Sequence, residues 1–168
     1  MSNKIGLRDT NEQKESISPA VNDIDELDRK ILEEYVKNSH ASSREIAKKI
    51  GVAVSTILSR TRKLEQKGII KNYTLMLDHE KLGYKLTAVT EVRVSKGKLI
   101  EVEKEIAKMP ATCAVYDVTG EIDAIIVAKF KDRQELSEYA KILLAIPHVE
   151  RTNTHVVLTT LKEDFRLI

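Results

Sequence analysis

The chain has 168 residues, 42% hydrophobic and 32% charged, and its 28 basic and 26 acidic side chains leave a net charge of +2. That length holds one large domain or two small ones, with enough apolar residues for a real core, which excludes a wholly disordered chain. No apolar run approaches the roughly 20 residues that span a bilayer, the N-terminus MSNKIGLRDTNEQ lacks the apolar stretch of a secretory signal, and the single cysteine, Cys113, excludes an internal disulfide and a Cys-based zinc finger. These features point to the cytoplasm and to no membrane partner.

The charge is segregated along the chain. Residues 1–43 hold six basic against nine acidic side chains (net −3), residues 44–72 eight against two (net +6), and residues 73–168 fourteen against fifteen (net −1). A local block of +6 is the electrostatic footprint of a nucleic-acid site, but a solvated Lys/Arg face gives the same count, so spacing has to decide.

Residues 1–22 are polar, contain Pro19 and follow no sustained period, which reads as a mobile arm. Asp23 with Glu26 forms an N-cap signal. Ile24, Leu27, Ile31 and Tyr35 then recur at helical spacing, predicting a first helix to about Asn38. Ser42 and Glu45 form a capping box that opens a short helix with Ile46, Ala47 and Ile50 inward, ended by Gly51. A third helix follows from about Val54 to Lys67, stopped by Gly68, with Ile69 placed to pack back on it. Three helices with a tight Gly-containing turn before the third make a helix-turn-helix.

On a helical wheel the third helix gathers Val54, Ile57, Thr61 and Leu64 in one stripe. Ser55, Ser59, Arg62, Lys63 and Gln66 lie opposite, flanked by Thr56, Leu58 and Arg60, and Glu65 is the one acid between residues 54 and 67. Hydroxyls near the helix start suit base edges, and basic groups further on suit phosphates. Ser55, Thr56, Ser59, Arg60, Arg62 and Lys63 are therefore the candidate contacts to double-stranded DNA.

The run IDELDRKILEEYVKNSHASSREIAKKIGVAVSTILSRTRKLEQKGIIKNYTLMLDHEKLG resembles the N-terminal part of Lrp/AsnC-type (feast/famine) transcriptional regulators. The resemblance rests on Asp25, Asp28, Ile31 and Leu32, then Ile46-Ala47, Gly51, Arg60, Leu64-Glu65, Gly68-Ile69-Ile70 and Gly83. There is one departure. The family usually has Ser where this chain has Ala53, capping the recognition helix, and Ala lacks the acceptor at a cost of about 1 kcal/mol. Either the helix starts uncapped or Ser55 caps one shortened by two residues.

Residues 69–77 (IIKNYTLML) read as a strand within a linker over 69–83. From Lys85 to Ser95, Leu86, Ala88, Thr90, Val92 and Val94 alternate with Thr87, Val89, Glu91, Arg93 and Ser95, as in a one-sided strand. Leu99, Val102, Ile106 and Met109 mark a helix stopped by Pro110. Thr112–Thr119 and Ile122–Phe130 read as strands around Gly120-Glu121, Arg133–Ile146 as a helix with Leu136, Tyr139, Ala140 and Leu143 inward, and His155–Leu161 as a last strand.

The expected fold is α+β: a winged helix-turn-helix domain over 23–68, joined by a strand to a βαββαβ ferredoxin-like domain over 84–168. Its open sheet face would expose Val89 and other apolar groups, so a second copy packed face to face is expected, giving a homodimer. Cys113, flanked by apolar residues, reads as a buried small hydrophobe.

The resemblance extends through TGEIDAIIVAKF and VERTNTHVVLTTLKE to the end of the chain. It implies an effector-binding and dimerising C-terminal domain, with dimers assembling into higher oligomers such as octamers. It also implies a small-molecule effector, often an amino acid, bound near the Gly-containing loop. Carried onto this chain, that site is Gly120, Glu121, Ile122 and Asp123 with Thr152 and Thr154. Glu121 and Ile122 are not the family's commonest residues there, which leaves the ligand open. A plain hairpin turn is the other reading of that loop. The chain would be a sequence-specific regulator modulated by an effector, or else an amino-acid-sensing assembly subunit that docks proteins through its N-terminal helices. His40, His79, His148 and His155 have no metal-binding spacing, and no phosphate-loop or nucleophile-elbow motif occurs, so neither a cofactor nor an enzymatic activity is expected.

Overall fold

The computed structural model describes residues 24–168, so the arm expected at 1–22 and the cap expected at Asp23 lie outside the described residues. The chain divides into two compact units, one reaching to Leu75 and taking in Arg166–Ile168, the other spanning Met76–Phe165.

The first unit holds three helices, α1 (Glu26–Lys37), α2 (Ser43–Ile50) and α3 (Val54–Gln66). α1 is capped by Asp25 rather than Asp23. Asp25 and Asp28 close both hydrogen bonds of a capping box, and that reciprocal pair sets the helix start. α2 begins with the expected Ser42–Glu45 box and ends at Gly51, whose φ of 80° is free of penalty only without a Cβ. Ile31, Ile46 and Ile57 are fully buried at the centre, with Ala41 and Ala47 beside them and Leu27, Tyr35, Ile50 and Val52 around them. Truncating one such isoleucine to alanine in a close-packed core costs about 2–5 kcal/mol.

α3 starts at Val54, with Ala53 in the extended conformation of an N-cap and no side-chain cap. Ser55 therefore sits inside the first turn. At the other end Gly68 is left-handed, and the N–H groups of Ile69 and Ile70 both reach the Leu64 carbonyl, at 3.0 and 3.2 Å.

The strand expected over 69–77 is absent. The chain from Asn72 to Leu77 is without regular structure, and the Tyr73 N–H bonds the Asn72 side chain. The apolar alternation of IIKNYTLML supplies strand propensity, but a strand needs a neighbour to exchange hydrogen bonds with, and none runs alongside among the described residues.

The second unit is β1 (Leu86–Val94), α4 (Leu99–Ala107), β2 (Thr112–Asp117), β3 (Ala124–Phe130), α5 (Arg133–Ala145) and β4 (Val149–Val156). The strands form one antiparallel sheet in the order β2-β3-β1-β4, as the βαββαβ order requires. Ala88, Val92 and Val94 of β1, Ala124, Ile126, Ala128 and Phe130 of β3, Val102 and Ile106 of α4, and Tyr139 and Leu143 of α5 form one buried cluster. Both helices thus cover the same sheet face.

Two expectations need correcting. The last strand lies at 149–156 instead of 155–161: its register with β1 runs from Val94↔Val149 to Ala88↔Val156, with one further bond from the Val157 N–H to the Thr87 carbonyl. Cys113 is exposed rather than buried, because the register between β2 and β3 shifts between Thr112 and Ala114 and leaves Cys113 as the unpaired residue of a bulge. Among the described residues no helix is long and apolar enough to cross a membrane.

Because Ala53 already has cap geometry, Ala53→Ser should stabilise α3 by about 1 kcal/mol. Hydrogen exchange of the first-turn amides measures this, and unchanged protection would mean that the serine hydroxyl does not reach them.

Candidate nucleic-acid interface and effector loop

Packing sets which face of α3 meets solvent. Ile57, Thr61 and Leu64 are buried, and Ser55, Ser59, Arg62 and Lys63 on the far side are exposed, with Thr56 half-buried between. The wheel reading holds except at Val54, which stays 37% exposed. Among the described residues no acid pairs with Arg62 or Lys63. Glu65, the acid on α3, is occupied: the Tyr73 hydroxyl donates to its Oε1 at 2.9 Å, and the Tyr73 ring meets Tyr35 edge-on at 5.7 Å. The exposed face is thus two hydroxyls toward the start of a helix whose first-turn dipole no side chain neutralises, followed by two cations that make no ion pair among the described residues.

Arg60 is placed differently from its expected partners on that face. It is half-buried, and its Nη1 donates to Asp25 Oδ2 and, at 3.1 Å, to Asp28 Oδ1. The guanidinium holds the Asp25 carboxyl below its usual range, and the two carboxylates raise the arginine further. Lys49 is likewise engaged, 2.7 Å from Glu34, which Lys49 and then Lys37 hold below the usual carboxylate range.

In the second unit the loop between β2 and β3 is tied at its base. The Val118 N–H bonds the Asp123 carbonyl at 3.1 Å, the Asp123 N–H bonds the Val92 carbonyl at 3.0 Å, and Asp123 Oδ2 accepts the Val94 N–H at 2.8 Å. Gly120 has φ 132°, where an L side chain is strained although nothing lies near a Cβ there. Glu121 is exposed and Ile122 half-buried. Thr152 lies in the row Ala124–Val92–Thr152, two strand spacings, about 10 Å, from the loop's end. Thr154 is two pairs further on, its hydroxyl 3.1 Å from that of Thr90. The fold therefore brings Gly120–Asp123 together, places Thr152 at the same end of the sheet, and turns Thr154 toward Thr90.

Two features had no sequence signal. An open groove lies beside the start of α4, lined by Gly97, Leu99, Ile100, Glu101, Lys104 and Asp117, and includes none of the four loop residues. On the same helix, α4, the buried Glu103 Oε1 lacks a hydrogen-bond partner, and burial followed by the Asp117 charge pushes its carboxyl up. On the open sheet face Asn153 donates to Glu91 Oε2 at 3.1 Å and lies 3.0 Å from His155 Nε2. Only the three-dimensional pairing of β1 with β4 brings these residues together.

A family description of an Lrp/AsnC ligand-binding domain matches residues 87–167, and one of a winged helix-turn-helix DNA-binding domain matches residues 24–71. An uncharacterised HTH-type transcriptional regulator of Pyrococcus abyssi is 50% identical over 144 residues, 86% of this chain and 98% of the relative. The HTH-type transcriptional regulator FL11 of Pyrococcus horikoshii is 40% identical over 144 residues, 86% and 95% of the two chains. Among solved structures, a Neisseria meningitidis transcriptional regulator in complex with L-Met is 26% identical, with a TM-score of 0.80 over 86% of this chain and 96% of that one. Bacillus subtilis LrpC is 27% identical, with a TM-score of 0.75 over 84% and 99%.

The bond from Val94 to Asp123 is buried enough to matter, since Val94 is 7% exposed. Asp123→Ala should lower the stability of the second unit by about 1–3 kcal/mol by orphaning that N–H. Chemical denaturation reads this directly, and an unchanged midpoint would mean the carboxylate does not hold the loop.

Proposed function

The chain belongs to the Lrp/AsnC family of helix-turn-helix transcriptional regulators, and from that premise we propose how it works: α3 enters the DNA major groove, and an amino acid bound near the β2–β3 loop modulates assembly or DNA binding. The observation that carries the DNA half is the exposed face of Ser55, Ser59, Arg62 and Lys63, whose two cations make no ion pair among the described residues. In this reading Ser55, Thr56 and Ser59 approach base edges while Arg62 and Lys63 hold phosphates. A homodimer presents two such helices to half-sites about 34–36 Å apart, or a multiple of that.

The half-buried Val89, Ile125 and Val127 and the exposed Tyr116 support that dimer, since these apolar side chains lie on the sheet face that the chain's own helices leave uncovered, beside the polar Glu91–Asn153–His155 group. Dimers gather further into an assembly such as an octamer. The neighbour solved with L-Met supports an amino-acid effector. On this chain its α-ammonium would meet Glu121, and its carboxylate would meet loop N–H groups around Gly120–Ile122 and the Thr152 hydroxyl, with Thr154 secondary and Asp123 shaping the loop. The effector regulates to the extent that it binds one assembly or DNA-bound state better than another. The role is regulatory rather than enzymatic and is carried out in the cytoplasm.

Arg62→Ala combined with Lys63→Ala should weaken DNA binding and reduce the slope of log affinity against log salt by about 2, one for each phosphate no longer neutralised. Mobility-shift titrations at several salt concentrations measure both, and unchanged values would remove the face from the interface. Calorimetric titration with the twenty amino acids should find at least one ligand whose affinity falls about tenfold or more in Glu121→Ala, as expected when a charged hydrogen bond is removed. An absence of binding to all twenty would refute the effector assignment and leave the DNA assignment standing.

A further inference from the structure

We propose that Arg60 is the positioning residue of the recognition helix, gripped by the two carboxylates that cap α1, and not a phosphate ligand. The inference deepens the DNA-binding reading above and rests on it. Asp25 and Asp28 each have two oxygens and two tasks. Asp25 Oδ1 accepts the Asp28 N–H at 2.8 Å, and Asp28 Oδ2 accepts the Asp25 N–H at 3.4 Å. The remaining oxygens, Asp25 Oδ2 and Asp28 Oδ1, both accept Arg60 Nη1. One pair of residues therefore fixes the start of α1 and holds α3 to it.

The placement of Arg60 on α3 explains what the grip does. It sits between the buried stripe of Ile57, Thr61 and Leu64 and the exposed face of Ser59, Arg62 and Lys63. A stripe of apolar contacts resists separation of two helices but resists rolling poorly, because apolar attraction is not directional. A hydrogen-bonded ion pair beside the stripe is directional and stops the roll. A roll of about 20° would carry a side-chain tip, roughly 6 Å from the helix axis, about 2 Å sideways. That is enough to break hydrogen bonds to base edges while leaving flexible cations within reach of phosphate.

Asp28 adds a reason for Arg60 to stay in place. It is 5% exposed, and the guanidinium is its charge partner. Swinging Arg60 onto DNA would leave that carboxylate buried and unpaired, the costly state of a broken buried pair.

The test compares specific with non-specific binding, using a duplex selected from a random pool by the wild-type protein and a scrambled duplex of equal length. Arg60→Gln removes the charge. Asp25→Asn removes one grip while keeping an equally good N-cap, so α1 should still form. Both variants should bind the selected duplex about tenfold or more weakly. Both should bind the scrambled duplex as the wild type does, with unchanged salt slopes, and the double variant should be no worse than either single one. Arg60→Lys, a point charge without the fork, should recover only part of the discrimination. A slope lower by about 1 in Arg60→Gln, with tighter scrambled-duplex binding in Asp25→Asn, would make Arg60 a phosphate ligand and overturn the proposal. Unchanged discrimination in both single variants would overturn it as well. A wild-type chain that selects no sequence would defeat the DNA-binding reading itself, an outcome distinct from either of these.

Discussion

Asp25 and Asp28 each devote one carboxylate oxygen to a backbone N–H and the other to Arg60. The rest of the N-terminal unit depends on that division. The capping half sets where α1 begins, and so which of its residues point at Ile46 and Ile57. The ionic half links α1 to α3 across 35 residues of sequence. With α3 held, Ser55, Ser59, Arg62 and Lys63 share one outward face as a consequence of packing on the opposite side.

Periodicity carried most of the fold into the sequence. The alternation through Leu86, Ala88, Thr90, Val92 and Val94 matches the observed burial, and the spacing of Val102 with Ile106 and of Tyr139 with Leu143 picks out the buried residues of α4 and α5. Features that depend on partners were less legible. IIKNYTLML has strand character and no strand, because pairing is a property of two segments. The position of β4 is set by its register against β1, which the composition of 149–161 does not encode. Cys113 turned outward because of a one-residue register shift, and its neighbours look the same with or without it.

The same division runs through the sites. The hydroxyl and basic residues of α3 were readable because one helix carries them all. The ion pair of Arg60 with Asp25 and Asp28 was not, since those partners lie a helix away and its own sequence neighbourhood is basic. Asp123 comes into view in the sequence only through the resemblance, and its carboxylate is turned to the Val94 N–H, a bond between a loop and a strand that only the sheet brings together. The near-zero net charge of the whole chain concealed these arrangements. It sums a cationic segment at 44–72 with an acidic segment at 1–43 and a stretch at 73–168 whose charges nearly cancel.

Ala53 gives α3 an unusual thermodynamic position. The cap geometry is present and the side-chain acceptor is missing, so the N–H groups of Val54 and Ser55 are left for solvent while that of Thr56 reaches back to the Ala53 carbonyl at 3.0 Å. Water satisfies them weakly compared with an anion. A phosphate oxygen arriving there would do the work of the absent serine hydroxyl, so part of the free energy that ordinarily stabilises a folded helix would be released on association instead. Stability of the free protein and affinity for nucleic acid would then be linked quantities at this position, and a gain in one would be drawn from the other.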